Sequence, residues 1–312
     1  MTKHVSARQV LAGVLVSALF LWLAVRDMHF DQLAQTFRQT RVESLLPALL
    51  LMPVSYLIRA LRWCVPFHGR GIVPWPVAVS SAALGFAGNH YLPARLGEIV
   101  RIAAVNRAAA VPVGFAAGTI LVERLVDVIV LVLFASLAMA LPEGMPAWLT
   151  GPSILMAGAC SLSAVLLMFA ARVRLPAIFR TVQDGLQAYQ HAPRLALVFA
   201  MTFAIWLLDA LVAVIVASGF RMPITYLTAL LLLACLGFSN AIPSAPGGIG
   251  VYQFIGVELL GPFGVPREQA LAYVLGLQAV DYIAVTLFAV LAQGVYLDRF
   301  GSLAGKKRTA DK

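Results

Sequence analysis

The chain alternates between long apolar runs and short polar segments, and the run lengths predict membrane-spanning helices. Because a helix needs about 20 apolar residues to cross a bilayer, the longer runs are candidate spans. The segment 175–190 has apolar residues at helical period instead, which predicts an amphipathic helix on the membrane surface. The apolar runs cover residues 10–25, 44–61, 76–92, 113–140, 153–172, 195–218, 225–240 and 268–297, with a shorter one over 250–262.

Two stretches with helix-breaking residues interrupt this pattern. They read "GNHYLPARLGEIVR" from Gly88 and "SNAIPSAPGGIGVYQF" from Ser239. We interpret residues 76–107 as a re-entrant hairpin with Leu92–Pro93 at its tip, and residues 225–262 as a second one with its tip over 243–250. The remaining six runs cross fully. The predicted fold is an all-α integral membrane protein with about six full transmembrane helices and two re-entrant helical hairpins.

Basic residues support this topology, because cytoplasmic loops carry an excess of Lys and Arg. The arrangement places both termini and the arginine-rich loop over 172–194 in the cytoplasm, and the loop "PEGMPAWLTGP", without Lys or Arg, outside. One loop disagrees, since Arg26, Arg38 and Arg41 fall outside. The localisation we expect is the inner membrane of a bacterial-type cell, as a multi-pass protein.

The two hairpins also resemble each other in sequence. "LGFAGNHYLP" starts at Leu84 and "LGFSNAIP" at Leu236, so both read Leu-Gly-Phe, then Asn, then Pro. The match is short, and chance remains an alternative. As an internal repeat it matches the inverted repeats of transporters, whose broken helices meet near the membrane midplane.

Composition supports a single transmembrane domain over residues 1–312 without a soluble domain. The 312 residues are 61% hydrophobic and 12% charged, about half the charged share of soluble domains. The net charge of +9 lies in loops and in the tail "GKKRTADK", so we expect contact with anionic lipid heads and no nucleic-acid partner. The three cysteines and five histidines are dispersed, which predicts no metal site, no cofactor and no catalytic residues.

Charged residues inside apolar runs need partners, because one at mid-bilayer costs about 2.5–3.5 kcal/mol on insertion scales. Glu123 and Asp127 share one helical face, and Arg124 can pair with Asp127 or join a site. Asp209 and Asp281 have no local basic partner. They are either paired with another segment, with Arg95, Arg101 and Arg124 as the available cations, or protonated, which makes both aspartates candidate proton carriers. For Arg59 and Arg62 the simpler interpretation is that they reach the membrane interface.

The glycines at the second tip precede a predicted helix. Gly247, Gly248 and Gly250 allow close approach of a ligand to the backbone, and a helix start favours an anion. The alternative is a tight turn between two half-helices. Together these features predict a polar cavity for an anionic lipid headgroup, phosphate especially.

Three segments, "NHYLPARLGEIVR", "ERLVD" and "IPSAPGGIGVYQF", resemble in order and spacing the signatures of the lysylphosphatidylglycerol synthase transmembrane region, a flippase-like membrane family. The resemblance covers nearly the whole chain and implies a stand-alone member, the lipid-moving half without a synthase domain. The family often has Glu where this chain has Gln253, which argues against a cationic aminoacyl headgroup. Pro93, Gly97 and Pro243 also match its motifs. The substrate-binding residues that the resemblance implies are Asn89, Arg95, Glu98, Arg101, Glu123, Arg124, Asp127, Asn240, Pro246, Gly247, Gly248, Gly250 and Tyr252.

The function we expect is lipid transport without enzymatic activity. The protein would be a flippase or headgroup transporter for an anionic phospholipid or a lipid of a polyprenyl or hopanoid pathway. Two alternatives stay open: an intramembrane lipid-modifying transferase with Glu98 or Glu123 as base, and a non-transporting scaffold of a lipid-synthesis complex. Besides the lipid, candidate partners are lipid-biosynthesis enzymes and further copies of this chain.

Overall fold

The computed structural model describes residues 7–67, 73–140, 179–239, 242 and 244–310, and all regular structure in these ranges is helical. This confirms the all-α part of the predicted fold class. The run 153–172, the loop "PEGMPAWLTGP", Asn240 and Pro243 lie outside the described residues. The helices are α1 (Ala7–Val25), α2 (Phe30–Gln39), α3 (Leu46–Cys64), α4 (Trp75–Tyr91), α5 (Gly97–Ala109), α6 (Val113–Ala140), α7 (Arg180–Gln187), α8 (Ala192–Gly219), α9 (Tyr226–Ser239), α10 (Val251–Leu260) and α11 (Arg267–Ala310).

Three helical segments among the described residues are long and apolar enough to cross a membrane: Val42–Phe67, Ala192–Gly219 and Arg267–Leu297. A fourth span results if Gly13–Val25 and Phe30–Gln39, which meet at 85°, are counted together. These segments establish a multi-pass membrane protein. The six full spans and the orientation of the termini stay predictions.

The first hairpin forms where the sequence predicts it. Leu92 leaves the helical conformation, because a residue before proline is driven toward extended backbone. A short 3-10 turn, Pro93–Arg95, leads into α5, which packs against α4. A side chain at Gly97 would collide with the Gly85 carbonyl and with Asn89, so the crossing requires glycine. Residues 92–96 are called the first tip below.

The second hairpin consists of α9 and α10, joined by residues 240–250. Its 3-10 turn is Pro246–Gly248, and Gly247, Gly248 and Gly250 have φ of 68°, 73° and 91°. A side chain at Gly247 would also collide with the Tyr282 hydroxyl. Residues 244–250 are called the second tip. That either hairpin turns inside the membrane stays a prediction.

The two tips meet in the fold. The turn at Pro93–Arg95 contacts the turn at Pro246–Gly248, and α4 also contacts the latter. Helix α11 packs on α3, α4 and α10, so it lies beside both tips. The matching Leu-Gly-Phe sequences lie in the last two turns of α4 and in the last turn of α9, and the internal repeat stays a hypothesis.

The amphipathic segment contributes the short helix α7, which packs against α6. Gly118 on α6 faces Gly185 on α7, and a side chain at either glycine would crowd the other's backbone. This close packing fixes α7 to the helix that carries Glu123 and Asp127. Its position at the membrane surface stays a prediction.

Candidate functional site

The first hairpin brings Arg101 on α5 to the carboxylate of Glu123 on α6. The Arg101 Nη1 donates to Glu123 Oε2 at 2.8 Å, and its guanidinium lies 3.8 Å from the centre of the Trp63 ring. Both charged side chains are almost completely buried, with 3% and 1% of their areas exposed. A guanidinium over an indole face gains a cation–π contact, so Arg101 fastens the hairpin to α3 and α6.

Arg62 on α3 joins the two carboxylates of α6. Its Nη1 donates to Asp127 Oδ1 at 2.6 Å, its Nη2 donates to Asp127 Oδ2 at 3.2 Å, and its Nε lies 3.6 Å from Glu123 Oε1. The Nη1 also donates to Thr202 on α8 at 2.7 Å. The interpretation that Arg62 reaches the membrane interface is wrong, because 2% of its side chain is exposed. The two carboxylates one turn apart hold it inside.

Arg124 completes this group at its more exposed side. It lies 3.6 Å from both Glu98 and Asp127, and about a third of its side chain is exposed. The predicted pairing of Arg124 with Asp127 exists, but Arg62 is the closer cation. We call these six side chains the arginine–carboxylate cluster; its members are Arg62, Arg101, Arg124, Glu98, Glu123 and Asp127.

The cluster balances three guanidinium groups against three carboxylates, and Arg95 adds one further cation. Arg95 lies on the first tip, is exposed, and has a φ of 54°. It is close enough for Arg124, Glu98 and Asp127 to act on it electrostatically. In the described ranges Arg95 takes part in no ion pair. Inside the cluster, Nε and Nη2 of Arg101 are buried donors without a hydrogen-bond acceptor.

Asp209 on α8 is paired with Arg59 on α3. The guanidinium of Arg59 contacts one carboxylate oxygen, and the Ser55 hydroxyl donates to the other. The expectation that Arg95, Arg101 or Arg124 neutralises Asp209 is therefore wrong. The interface interpretation of Arg59 is wrong as well, because its side chain is only 15% exposed and lies over the Trp206 ring.

Asp281 on α11 has a different kind of partner, His90 at the end of α4. His90 Nε2 lies 2.8 Å from Asp281 Oδ2, and the Tyr56 hydroxyl donates to Asp281 Oδ1. His90 escaped the sequence reasoning, which treated the histidines as dispersed. The available signal was its place beside Asn89 in the interrupting stretch "GNHYLP". The partner of Asp281 is therefore a histidine and none of the three arginines that the sequence suggested.

Helix α11 ties the two tips together through hydrogen bonds to their backbones. The Tyr282 hydroxyl donates to the His90 carbonyl at 3.0 Å, and Gln278 Nε2 donates to the Gly247 carbonyl at 2.8 Å. Gln253 Nε2 in turn donates to Gln278 Oε1 at 2.6 Å, and its Oε1 accepts from the Gly250 amide at 2.6 Å. Gln253 thus caps α10 while it supports the tip.

The other predicted residues lie around this contact between the tips. The Asn89 Oδ1 is buried without a hydrogen-bond partner, while Pro246 and Tyr252 are half-buried. The structure therefore groups the predicted residues into the cluster below the first tip and the glycine-rich second tip. Among the residues that the structure describes, no three His, Cys, Asp or Glu side chains are placed to share a metal ion.

Comparison with known proteins identifies the family. The chain matches the lysylphosphatidylglycerol synthase TM region over residues 10–289. It belongs to this family. It is also 21% identical over 215 residues to the UPF0104 membrane protein MJ1078 of Methanocaldococcus jannaschii, covering 65% of this chain and 91% of that relative. The resemblance drawn from the three segments is confirmed. The residues that match the family include the cluster, both tips and the His90–Asp281 pair.

Proposed function

We propose that the protein is a lipid flippase that moves the headgroup of an anionic membrane lipid across the inner membrane. The observation that carries this proposal is the additional guanidinium of Arg95, exposed where the two tips meet. The arginine–carboxylate cluster beneath it is already balanced in charge. A cation beyond that balance attracts an anion, and guanidinium matches the oxygens of a phosphate group.

The backbone at Arg95 supports a binding role. Its φ of 54° lies in the left-handed region, which costs a residue with a side chain of the order of 1–3 kcal/mol and is found preferentially at ligand sites. Helix α10 begins directly after the second tip, which contacts the turn that carries Arg95, and the amino-terminal end of a helix favours negative charge. Both features support an anionic headgroup as substrate.

Membership of this family supports the proposal that the anionic headgroup belongs to a lipid. It is described as the membrane region of a synthase whose product is a phospholipid, and the apolar helices leave the acyl or polyprenyl tails in the bilayer. Substrates of the proposed class are anionic phospholipids and lipids of polyprenyl or hopanoid pathways. The transport is passive or coupled to an ion, and it does not use ATP.

The ion pairs argue against the transferase alternative with Glu123 as base. Both oxygens of Glu123 face guanidinium groups, Oε2 at 2.8 Å and Oε1 at 3.6 Å. The Glu123 side chain is also only 1% exposed, so a substrate has no access to its oxygens. We therefore propose that Glu123 is not a catalytic base and that the cluster holds the hairpin in place. We also propose that the protein is a transporter and not an enzyme.

The test is lipid movement in liposomes that contain the purified protein. Fluorescent phosphatidylglycerol, a labelled polyprenyl phosphate and the zwitterionic phosphatidylcholine are compared, with and without ATP. We expect faster movement of an anionic lipid than of phosphatidylcholine. Arg95→Ala should lower that rate about tenfold or more, since a charge-assisted hydrogen bond contributes about 1.5–3 kcal/mol.

The matched control is Arg107→Ala, which removes an exposed arginine from α5 of the same hairpin. Its rate should equal that of the wild type. Equal loss in both variants would point to net charge instead of a site at Arg95. Absence of movement for every lipid would contradict the flippase, and the scaffold and transferase alternatives would then be tested with purified lipid-synthesis enzymes and donors.

A further inference from the structure

The pair of His90 and Asp281 must hold a proton to keep the geometry it has. His90 Nδ1 lies 2.9 Å from the Phe86 carbonyl, which only accepts, so this ring nitrogen carries hydrogen. The other nitrogen, Nε2, lies 2.8 Å from a carboxylate oxygen of Asp281. A proton must lie between these two atoms as well, and it belongs to the imidazole nitrogen, the more basic of the two atoms.

The surroundings provide no substitute for this proton. The Tyr56 hydroxyl donates to Asp281 and is 3.4 Å from His90 Nε2, but it has a single hydrogen and cannot serve both. Loss of a proton therefore changes the pair from neutral to a charge of −1, and leaves one ring nitrogen with a lone pair that faces an oxygen, either of the Asp281 carboxylate or of the Phe86 carbonyl. Either arrangement is repulsive, so one of the two contacts of the His90 ring has to open and the ring has to move. His90 and Asp281 are 18% and 27% exposed, so the surrounding side chains do not seal the pair.

The same residues control the meeting of the tips. His90 directly precedes the first tip, and its carbonyl accepts the hydrogen bond of Tyr282. The Tyr282 hydroxyl is also the group that packs against Gly247 on the second tip. Movement of the His90 ring would therefore act on the end of α4, where the helix contacts the stretch of α11 that carries Tyr282 and Gln278. Both tips are held by that stretch of α11.

We propose that His90 and Asp281 form a proton-binding site whose occupancy controls the contact between the two tips. While the proton is bound, the two tips stay in contact, and when it is released, the tips separate around Arg95. The gating of a lipid by this step rests on the proposed function. Asp209 does not share this role, because Arg59 remains charged at all relevant pH values. The other titratable or charged side chains that act on the pair are Tyr56, Arg59, Tyr91, Asp209, Tyr252 and Tyr282.

Proton occupancy is tested by nitrogen-15 NMR of histidine-labelled protein in lipid nanodiscs, with the His90 signals assigned by their loss in His90→Gln. We expect two protonated ring nitrogens, or one strongly shared proton, at neutral pH. In Asp281→Asn the amide can donate to an unprotonated Nε2, so His90 should become a neutral imidazole. A neutral His90 that is the same in the wild type and in Asp281→Asn would overturn the proposal. His191→Gln, at an exposed position, is the control and should leave the His90 signals unchanged.

Control of the tips is tested by pulsed electron paramagnetic resonance between spin labels at Leu92→Cys and Ile249→Cys. Both positions are exposed, at 36% and 43%, and the native cysteines Cys64, Cys160 and Cys235 are replaced by alanine. The distance should lengthen as pH is raised from about 5 to about 9, and it should be independent of pH when Asp281→Asn is added. A distance that does not respond to pH in the unmodified pair would refute the gating. Neither measurement uses transport, so a failed flipping assay would count against the proposed function alone.

Discussion

Two regions of this protein bury opposite charges between packed helices, but they differ in the kind of cation. In the arginine–carboxylate cluster the cations are guanidinium groups, and Arg62, Arg101 and Glu123 have 1–3% of their side chains exposed. In the pair on α4 and α11 the cation is the imidazole of His90, 18% exposed. Arginine stays charged at every relevant pH, whereas histidine changes charge near neutrality. The cluster is therefore a permanent link and the pair a conditional one.

The two aspartates outside the cluster show the same contrast between an arginine and a histidine partner. Asp209 and Asp281 each lie in a long apolar helix, and each also accepts from a hydroxyl of α3, that of Ser55 or Tyr56. What distinguishes them is Arg59 on one side and His90 on the other. Burial alone does not decide whether a carboxylate is structural or able to exchange protons; the partner's chemistry does.

The largest effect should come from Arg62→Met, which removes the cation between Glu123 and Asp127. Breaking a buried ion pair costs about 3–5 kcal/mol because a charge stays buried without a partner. We expect a clear loss of folded protein and a lower melting temperature in detergent. The measurement is the fraction of protein that stays folded after heating, determined by size-exclusion chromatography. Adding Asp127→Asn should restore part of the stability. Arg38→Met, on the exposed face of α2, should change it by less than about 0.5 kcal/mol. An unchanged melting temperature in Arg62→Met would show that the cluster is not a structural link.

A smaller effect is expected for Arg59→Met, the matching change at Asp209. Arg59 is more exposed than Arg62, so water can partly replace it, and we expect a loss of about 1–3 kcal/mol. Asp209→Asn combined with Arg59→Met should recover most of this loss. The measurement is the melting temperature from about pH 5 to about pH 9. If the difference in melting temperature between the wild type and Asp209→Asn changed across that range, Asp209 would be titrating beside Arg59 and the contrast with Asp281 would not hold.

The smallest change in stability is expected for His90→Gln, about 1 kcal/mol, the usual net contribution of one hydrogen bond. The size of this change depends on pH in a defined way. The contact stabilises the wild type while the proton is bound and is lost as pH rises through the titration of the pair. The difference in melting temperature between wild type and His90→Gln should therefore be present at low pH and vanish at high pH. With His191→Gln the difference should stay near zero throughout. A constant difference across the pH range for His90→Gln would make the pair an ordinary hydrogen bond.

Much of the fold was predictable from local signals. Pro93 and the glycines at 247, 248 and 250 end and restart helices through their own backbone preferences, so both tips lie where the sequence predicts them. The face shared by Glu123 and Asp127 follows from helical period, and the family follows from three short segments. These features depend on residues within a few positions of each other.

Sequence by itself thus determined the class of protein, most of the described apolar helices, the breaks at the two tips and the family. Only the tertiary structure decided which charges meet. Arg59 and Asp209 are 150 positions apart, and His90 and Asp281 are 191 apart. Nothing in the spacing of such residues encodes their distance in space, because it depends on how α3, α4, α8 and α11 pack together. The same packing left Arg95 exposed as the additional cation and made His90 the conditional partner of Asp281.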